Sequence, residues 1–194
     1  MNSHYARLNR IAGQPRRLEA AQFAYHQGDD VEAIYLLRWG SVRLARLSLD
    51  GHETTLAHFG EGVCFGEAEV LLGLESRECF AQATCDVVIA PILLRNLGPD
   101  DIAELNRLAV NRLYRAQLCM AEMIGQHPSK RVASLLRYLS SHGATIRLSH
   151  DEIGMTTDCP KEVVSQTLRQ LAKVGAVAVE RGAIKVLDRR LLEA

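Results

Sequence analysis

Apolar residues between positions 20 and 95 occur in short runs that glycines separate. Asp50-Gly51 stands between two β-prone runs, residues 42–49 and 54–56, and an Asp-Gly pair in that setting is typical of a hairpin. The glycines that punctuate the stretch are Gly28, Gly40, Gly51, Gly60, Gly62 and Gly66. This pattern predicts an all-β domain of many short strands, arranged as a sandwich or a barrel.

The apolar spacing becomes helical in residues 99–125. Apolar side chains recur there at distances of three or four residues, and Pro99, Asp100 and Asp101 make a favourable helix start. Because a helix of about 25 residues is too long for a small domain to cover on all sides, we expect it to pack on its own β-domain and also to pair with a second copy of the chain. The residues assigned to this dimer interface are Leu105, Ala109, Leu113, Ala116, Met120 and Met123.

Helical spacing returns after a break at residues 125–130. Residues 129–143 form one amphipathic pattern, with Val132, Leu135, Leu136 and Leu139 on its inward side. Residues 149–175 predict two more helices joined by a tight turn. Two β-prone runs around residues 181–182 then predict a hairpin. This order of elements is that of a helix-turn-helix followed by a wing.

Local signals mark the ends of the two helices around the turn. Ser149 and Glu152 have the spacing of a capping box, and Gly175 suits the end of the second helix. Gly154 lies in a helix interior, where glycine costs about 1 kcal/mol relative to alanine, so another helix is expected to approach closely there. Asp158 can adopt the left-handed conformation that the turn needs.

The second of these helices has an apolar side and a polar side. Val164, Leu168 and Leu171, with Ala172 beside them, form the side expected to be buried. The polar side is formed by Lys161, Glu162, Ser165, Gln166 and Arg169. These side chains are donors and acceptors suited to base edges and phosphates, so the helix is expected to contact DNA. The alternative is a small helical domain with an ordinary solvated face.

Charge is unevenly distributed along the chain. The formal net charge is zero, yet residues 129–194 contain 11 Lys and Arg against 7 Asp and Glu. A mildly basic C-terminal part beside a mildly acidic N-terminal part is consistent with local contact to DNA.

Composition is that of a globular protein, with 47% hydrophobic and 24% charged residues. No apolar run approaches the ~18 residues of a membrane span, and the first twenty residues lack the apolar segment of a signal peptide. We therefore expect a cytoplasmic protein with no membrane partner. No nucleophile with a supporting base and no metal-ligating cluster is recognisable, so an enzyme is not expected.

The chain has five cysteines, Cys64, Cys79, Cys85, Cys119 and Cys159. Their spacings contain no C-x-x-C pair and match neither a zinc site nor an iron–sulfur cluster. We expect reduced, buried thiols, and the alternative is that one of them senses oxidants.

The order of parts resembles the cyclic-AMP receptor protein (CRP/FNR) family of bacterial transcription regulators. The resemblance rests on "YLLRWGSVRL", "GEGVCFGEAEVL", "AQATCDVVIAPI" and "LSHDEIGMTTDCPKEVVSQTLRQL". It implies a two-domain α+β protein with a cyclic-nucleotide-binding-type β-roll (jelly roll) in residues 1–98. A dimerisation helix in residues 99–126 and a winged helix-turn-helix in residues 127–194 would follow.

The resemblance also implies an effector pocket, and this chain departs from it. Gly66, Glu67 and Arg77 match the positions that hold the phosphate and ribose of a cyclic nucleotide. The next position, Glu78, replaces a hydroxyl donor by a carboxylate that repels phosphate, and a pairing of Glu78 with Arg77 would fill the site from inside.

The adenine contacts of the family fall on Ala116 and Gln117, of which Ala116 has no hydrogen-bonding group. Cyclic AMP is therefore not expected as a ligand, and no cofactor is expected. Haem remains an alternative, because His52, His58 and Cys79 are present.

For DNA, the resemblance implies that Lys161, Glu162 and Gln166 read bases. Thr156, Ser165, Arg169 and Arg181 would contact phosphates or the rim of the interface. A homodimer would bind an inverted repeat and activate transcription through contact with RNA polymerase. The alternatives are a regulator gated by another small molecule or by redox state, and a module whose winged helix binds a protein.

Overall fold

The computed structural model describes residues 6–140 and 145–192, which form two compact units divided between Asn111 and Arg112. The described part of the first unit contains a short N-terminal helix, eight strands, a second short helix, a 3₁₀ helix (Leu94–Asn96) and the first half of a long helix. The helices are α1 (Ala6–Ile11), α2 (Glu67–Leu72) and α3 (Pro99–Met123). The strands are β1 (Arg16–Leu18), β2 (Phe23–Tyr25), β3 (Ala33–Trp39), β4 (Val42–Leu47), β5 (Glu53–Phe59), β6 (Cys64–Phe65), β7 (Phe80–Ala83) and β8 (Val87–Leu93).

Two four-stranded antiparallel sheets build the first unit. Their strand orders are β1-β8-β3-β6 and β2-β7-β4-β5. Alternate residues of both sheets point to a shared core, in which Leu37 and Ile89 of one sheet lie in the same apolar cluster as Val42 and Phe59 of the other. The predicted hairpin at Asp50-Gly51 is present between β4 and β5. The fold is the β-roll that the resemblance implied.

The long helix α3 buries a different face from the one expected. Leu105, assigned to the dimer interface, is only 1% exposed and packs with Leu8, Ile34 and Ile92 of its own β-domain. Its assignment to the interface is wrong, because a side chain buried within one protomer cannot contact another. Ala109, Ala116 and Met123 are half-buried, and only Leu113 and Met120 of the assigned set are exposed.

The described part of the second unit contains the rest of α3, three further α-helices, three strands and a short 3₁₀ helix, Arg189–Leu192. The helices are α4 (Pro128–Leu139), α5 (His150–Thr157) and α6 (Lys161–Lys173), and the strands are β9 (Thr145–Ile146), β10 (Val177–Glu180) and β11 (Ala183–Val186). The sheet order is β10-β11-β9, and its apolar side chains pack with those of α4, α5 and α6. The end of the helix predicted over residues 129–143 lies partly outside the described residues.

The local predictions around the turn between α5 and α6 are confirmed in their main points. Ser149 and Glu152 form the reciprocal capping box, and Asp158 has a φ of 49°. A Cβ on Gly154 would lie 2.6 Å from the carbonyl oxygen of Cys159, so the close neighbour is the backbone of the turn. In α6, Val164 and Leu168 are buried as expected, but Ala172 is exposed.

No helix among the described residues combines the length and the apolar character needed to cross a membrane. Over residues 6–140 and 145–192, no three His, Cys, Asp or Glu side chains are grouped so that they could hold a metal ion.

Candidate functional site

The polar face of α6 is directed away from the core of the second unit. Val164 and Leu168 anchor the helix in that core, and the opposite side exposes Lys161, Glu162, Gln166 and Arg169. Because α6 is amphipathic over its whole length, burial of one stripe is enough to present the other. Four of the residues predicted to touch DNA are thus accessible on one helix face.

Hydrogen bonds within the unit hold several side chains of this surface. The Ser165 hydroxyl is half-buried and lies 2.9 Å from Nδ1 of His150, while Nε of Arg169 donates to the Ser165 carbonyl at 3.2 Å. The Thr156 hydroxyl donates to the carbonyl oxygen of Glu152 at 2.8 Å. Ser165 therefore contributes to packing α5 against α6, in addition to any outward contact.

The wing is the β10–β11 hairpin. Its turn is Arg181-Gly182, in which Gly182 has a φ of 73°, and the Arg181 side chain is exposed. On the strands, the Lys185 ammonium donates to Glu180 at 2.8 Å. Arg181 is thus placed at an exposed turn, where a guanidinium can reach a phosphate.

The first unit contains the residues predicted to form an effector pocket, and Arg77 is at their centre. Arg77 is only 2% exposed. Its Nη1 donates to the Gly66 carbonyl at 2.7 Å and to Oε2 of Glu69 at 3.3 Å, and its Nη2 donates to the Ala33 carbonyl. The guanidinium also lies 4.2 Å from the centre of the Tyr25 ring. Both outer nitrogens of Arg77 are therefore engaged by groups of the chain itself.

Gly66 makes room for this arrangement. It has a φ of 75°, and a Cβ there would lie 3.0 Å from Nη1 of Arg77 and 3.2 Å from the Tyr25 ring. Glu67 follows at the start of α2 and is buried, as is Glu69 in the same turn. The glycine is thus needed both for its backbone conformation and for the close approach of the arginine.

The suggested pairing of Glu78 with Arg77 is wrong. The Glu78 side chain is 59% exposed and lies 3.6 Å from Arg46, on the outside of the unit. The carboxylate that pairs with Arg77 belongs to Glu69, which the sequence reading missed. The available signal was its place in "EAEVLLG", two residues after Glu67, but an acidic residue in a short helical turn is usually solvated.

Cys79 completes the buried group around Glu69. Its Sγ donates to Oε1 of Glu69 at 3.5 Å. Burial, followed by the negative charge of Glu69, raises the pKa of the Cys79 thiol to about 12. Burial also raises the pKa of the Tyr25 hydroxyl and that of the Cys119 thiol. The thiols of Cys79 and Cys119 are therefore protonated at neutral pH, and a protonated thiol is a poor nucleophile.

Alkylation of the native protein at pH 8 tests this description of the thiols. Cys79 and Cys119 should stay unmodified by iodoacetamide, while the half-buried Cys85 reacts faster. Because the pKa of Cys79 is raised on folding, the folded protein binds the thiol proton more tightly than the unfolded chain does. The contribution of this proton to the free energy of unfolding is complete below pH 9 and is lost as the pH rises towards 12. Mass spectrometry would locate the label, with denatured protein as the fully reactive control. Rapid labelling of Cys79 in the native state would contradict the buried network.

Ala116 and Gln117 lie on α3 in the second unit. Ala116 is half-buried and Gln117 is exposed. As expected, Ala116 offers no hydrogen-bonding side chain, while the Gln117 amide is accessible.

Comparison with known proteins matches both parts of the chain. Residues 15–97 match the cyclic nucleotide-binding domain, and residues 130–194 match the Crp-like helix-turn-helix domain. A cyclic AMP receptor protein of Thermus thermophilus is 34% identical over 178 residues, which are 87% of this chain and 82% of that protein. The transcriptional regulator LdrP of the same species is 27% identical over 186 residues, covering 92% and 94%.

Solved structures show the same architecture. A transcriptional regulator of the CRP family from Thermus thermophilus has a TM-score of 0.66 at 26% identity, covering 92% of this chain and 94% of that one. FixK2 from Bradyrhizobium japonicum shares the fold with a TM-score of 0.70 at 20% identity, covering 94% and 96%. With its two domains matched in order and a relative at 34% identity, the chain belongs to the CRP/FNR family of DNA-binding transcription regulators, which are not enzymes.

Proposed function

We propose that this regulator binds an inverted repeat in DNA as a homodimer and does so without cyclic AMP. The observation that carries the independence from cyclic AMP is the buried ion pair between Arg77 and Glu69. In this family the arginine at that position is expected to neutralise the phosphate of the effector. Here the chain supplies its own anion at the same guanidinium.

A cyclic phosphate would have to compete with Glu69. Two like charges 4 Å apart repel by about 4 kcal/mol at an effective dielectric constant of 20, and Arg77 already donates to two carbonyls besides the carboxylate. The missing hydrogen-bonding group at Ala116 removes a contact to the base as well. Although one relative is named a cyclic AMP receptor protein, these features favour a pocket that stays closed by its own residues.

The exposed face of α3 supports pairing with a second copy. A row with spacings of three, four, three and four residues is formed by Val110, Leu113, Gln117 and Met120 of α3 and by Ile124 directly after its end. The four apolar members are all exposed. Tyr114 is exposed beside them. This is the spacing of a coiled-coil seam, so the same face of another protomer fits it. This seam shares Leu113 and Met120 with the one assigned from the sequence, and its centre lies about a fifth of a turn away.

A two-fold dimer presents two α6 helices to DNA. Recognition helices related in this way enter successive major grooves, so the half-sites would be about 10 bp apart, centre to centre. Lys161, Glu162 and Gln166 would read bases, while Thr156, Ser165, Arg169 and Arg181 would contact the backbone. By resemblance to its family, the protein would act in the bacterial cytoplasm and activate transcription through RNA polymerase.

Substitutions in α6 test this assignment. Lys161→Ala and Gln166→Ala should each weaken binding to the specific site by about 1–3 kcal/mol, because each removes a contact to a base edge. The matched control is Lys173→Ala, at the exposed C-terminal end of the same helix, where little change is expected. Titrations of labelled duplex at fixed salt would measure the difference, and equal losses in all three variants would refute the reading role of the N-terminal half.

A further inference from the structure

An ion pair bridges the two helices of the helix-turn-helix. The Lys161 ammonium donates to Oδ2 of Asp151 at 2.6 Å, and both side chains are 55% exposed. Asp151 lies in the first turn of α5, and Lys161 is the first residue of α6. A lysine proposed to read DNA is thus held by a carboxylate from the neighbouring helix.

Helix electrostatics favour this contact. The N-terminus of a helix carries a partial positive charge, which stabilises Asp151 in α5 and destabilises an ammonium at the start of α6. Pro160 precedes Lys161 and provides no side-chain cap for the first N–H groups of α6. The lysine therefore gains more from Asp151 than from any position close to its own helix terminus.

The backbone that carries Asp151 is tied to α6 through the preceding residue. Nδ1 of His150 lies 2.9 Å from the Ser165 hydroxyl, which ties the first turn of α5 to the middle of α6. Asp151 follows directly and shares that turn. Its backbone is thereby kept beside α6, within reach of Lys161.

We propose that Asp151 is a positioning residue for sequence recognition, which rests on the proposed function of α6 as the helix that reads DNA. An ammonium has three N–H donors, so one can remain with Asp151 while the other two reach neutral acceptors such as guanine O6 and N7. A phosphate at the same ammonium is repelled by the carboxylate. Asp151 thereby directs Lys161 towards bases and away from the backbone, which lowers affinity for non-specific DNA.

The test is the isosteric, uncharged variant Asp151→Asn. Its affinity for the selected site and for a random duplex of equal length would be measured at several salt concentrations. Non-specific binding should strengthen, with a salt slope steeper by about 0.9 for each lysine released to a phosphate. The ratio of specific to non-specific affinity should fall by about fivefold. Asp151→Glu, which keeps the carboxylate, should retain most of the ratio.

Two controls separate positioning from a general change of charge. Asp188→Asn removes a carboxylate from the Asp188–Arg190 pair in the same unit and should leave the ratio unchanged. In a Lys161→Ala background, Asp151→Asn should have no further effect on the ratio, because Asp151 acts through Lys161. Thermal unfolding would confirm that all variants are folded.

The outcomes distinguish this proposal from the function on which it rests. A wild-type protein that prefers no sequence would overturn the proposed function and the role of Asp151 together. A sequence-specific wild type whose ratio is unchanged by Asp151→Asn would overturn only the role of Asp151. An undiminished effect in the Lys161→Ala background would also overturn it, since Asp151 would then repel the backbone directly.

Discussion

Replacing Glu69 by alanine is expected to destabilise the protein by about 3–5 kcal/mol, because it leaves the buried Arg77 guanidinium without its counter-ion. The Gly66 and Ala33 carbonyls would remain as acceptors, but neither carries a charge. Chemical denaturation of the wild type and of Glu69→Ala would measure this difference in the free energy of unfolding. A cost below about 1 kcal/mol would mean that the pair contributes little and that the pocket is not closed by it.

The same variant should acquire an affinity for anions. With Glu69 removed, inorganic phosphate can take its place at Arg77, and a ligand that binds only the folded state raises stability by mass action. Phosphate should therefore stabilise Glu69→Ala more than it stabilises the wild type in the same buffer series. The comparison within one series cancels the general effect of the salt.

Glu78→Ala is the matched control for the pocket. Its carboxylate is exposed and paired at 3.6 Å with Arg46, so its loss should change stability by less than about 1 kcal/mol. It should also leave the response to phosphate unaltered. If Glu78→Ala gained the phosphate response and Glu69→Ala did not, the assignment of Glu69 as the anion that pairs with Arg77 would be wrong.

The second large effect is expected from a charge placed in the seam proposed on α3. Leu113 is 60% exposed and belongs to the seam proposed on α3, so Leu113→Lys places two like charges close together across the proposed two-fold axis. The variant should sediment as a monomer at concentrations where the wild type is a dimer. Because a monomer has one recognition helix, affinity for the full inverted repeat should fall by about a hundredfold or more.

Asn111→Lys is the control for this substitution. It adds the same charge to the same helix at an exposed position about a third of a turn away from the seam. The dimer and its DNA affinity should survive. A Leu113→Lys protein that remains dimeric would show that another surface holds the two copies together.

Features that depend on residues close together in the sequence could be predicted, whereas features that depend on distant residues could not. The capping box of Ser149 and Glu152, the left-handed Asp158 and the hairpin at Asp50-Gly51 are set by residues within a few positions of each other. Each was therefore visible in the sequence. β9 was not, because its two residues become a strand only by pairing with β11, as in the contact of Ile146 with Ile184.

The misassignment of Leu105 and the oversight of Glu69 have a common physical origin. On α3, rows with a spacing of three and four residues run along more than one face, and the spacing alone does not say which row the β-domain covers. Leu105 was assigned outward for this reason, although Ile34 and Ile92 cover it. Glu69 was overlooked because its burial depends on Arg77, eight residues away, which supplies the charge that makes a buried carboxylate stable.

Selection of sequences from a random double-stranded DNA library by the purified protein, with no ligand added, tests the central claim most directly. We expect an inverted repeat to be enriched, with half-site centres about 10 bp apart, and we expect added cyclic AMP to leave the enrichment unchanged. Enrichment that appears only after cyclic AMP or another small molecule is supplied would contradict the claim. It would mean that the Arg77–Glu69 pair opens to a ligand and that the protein is a gated regulator.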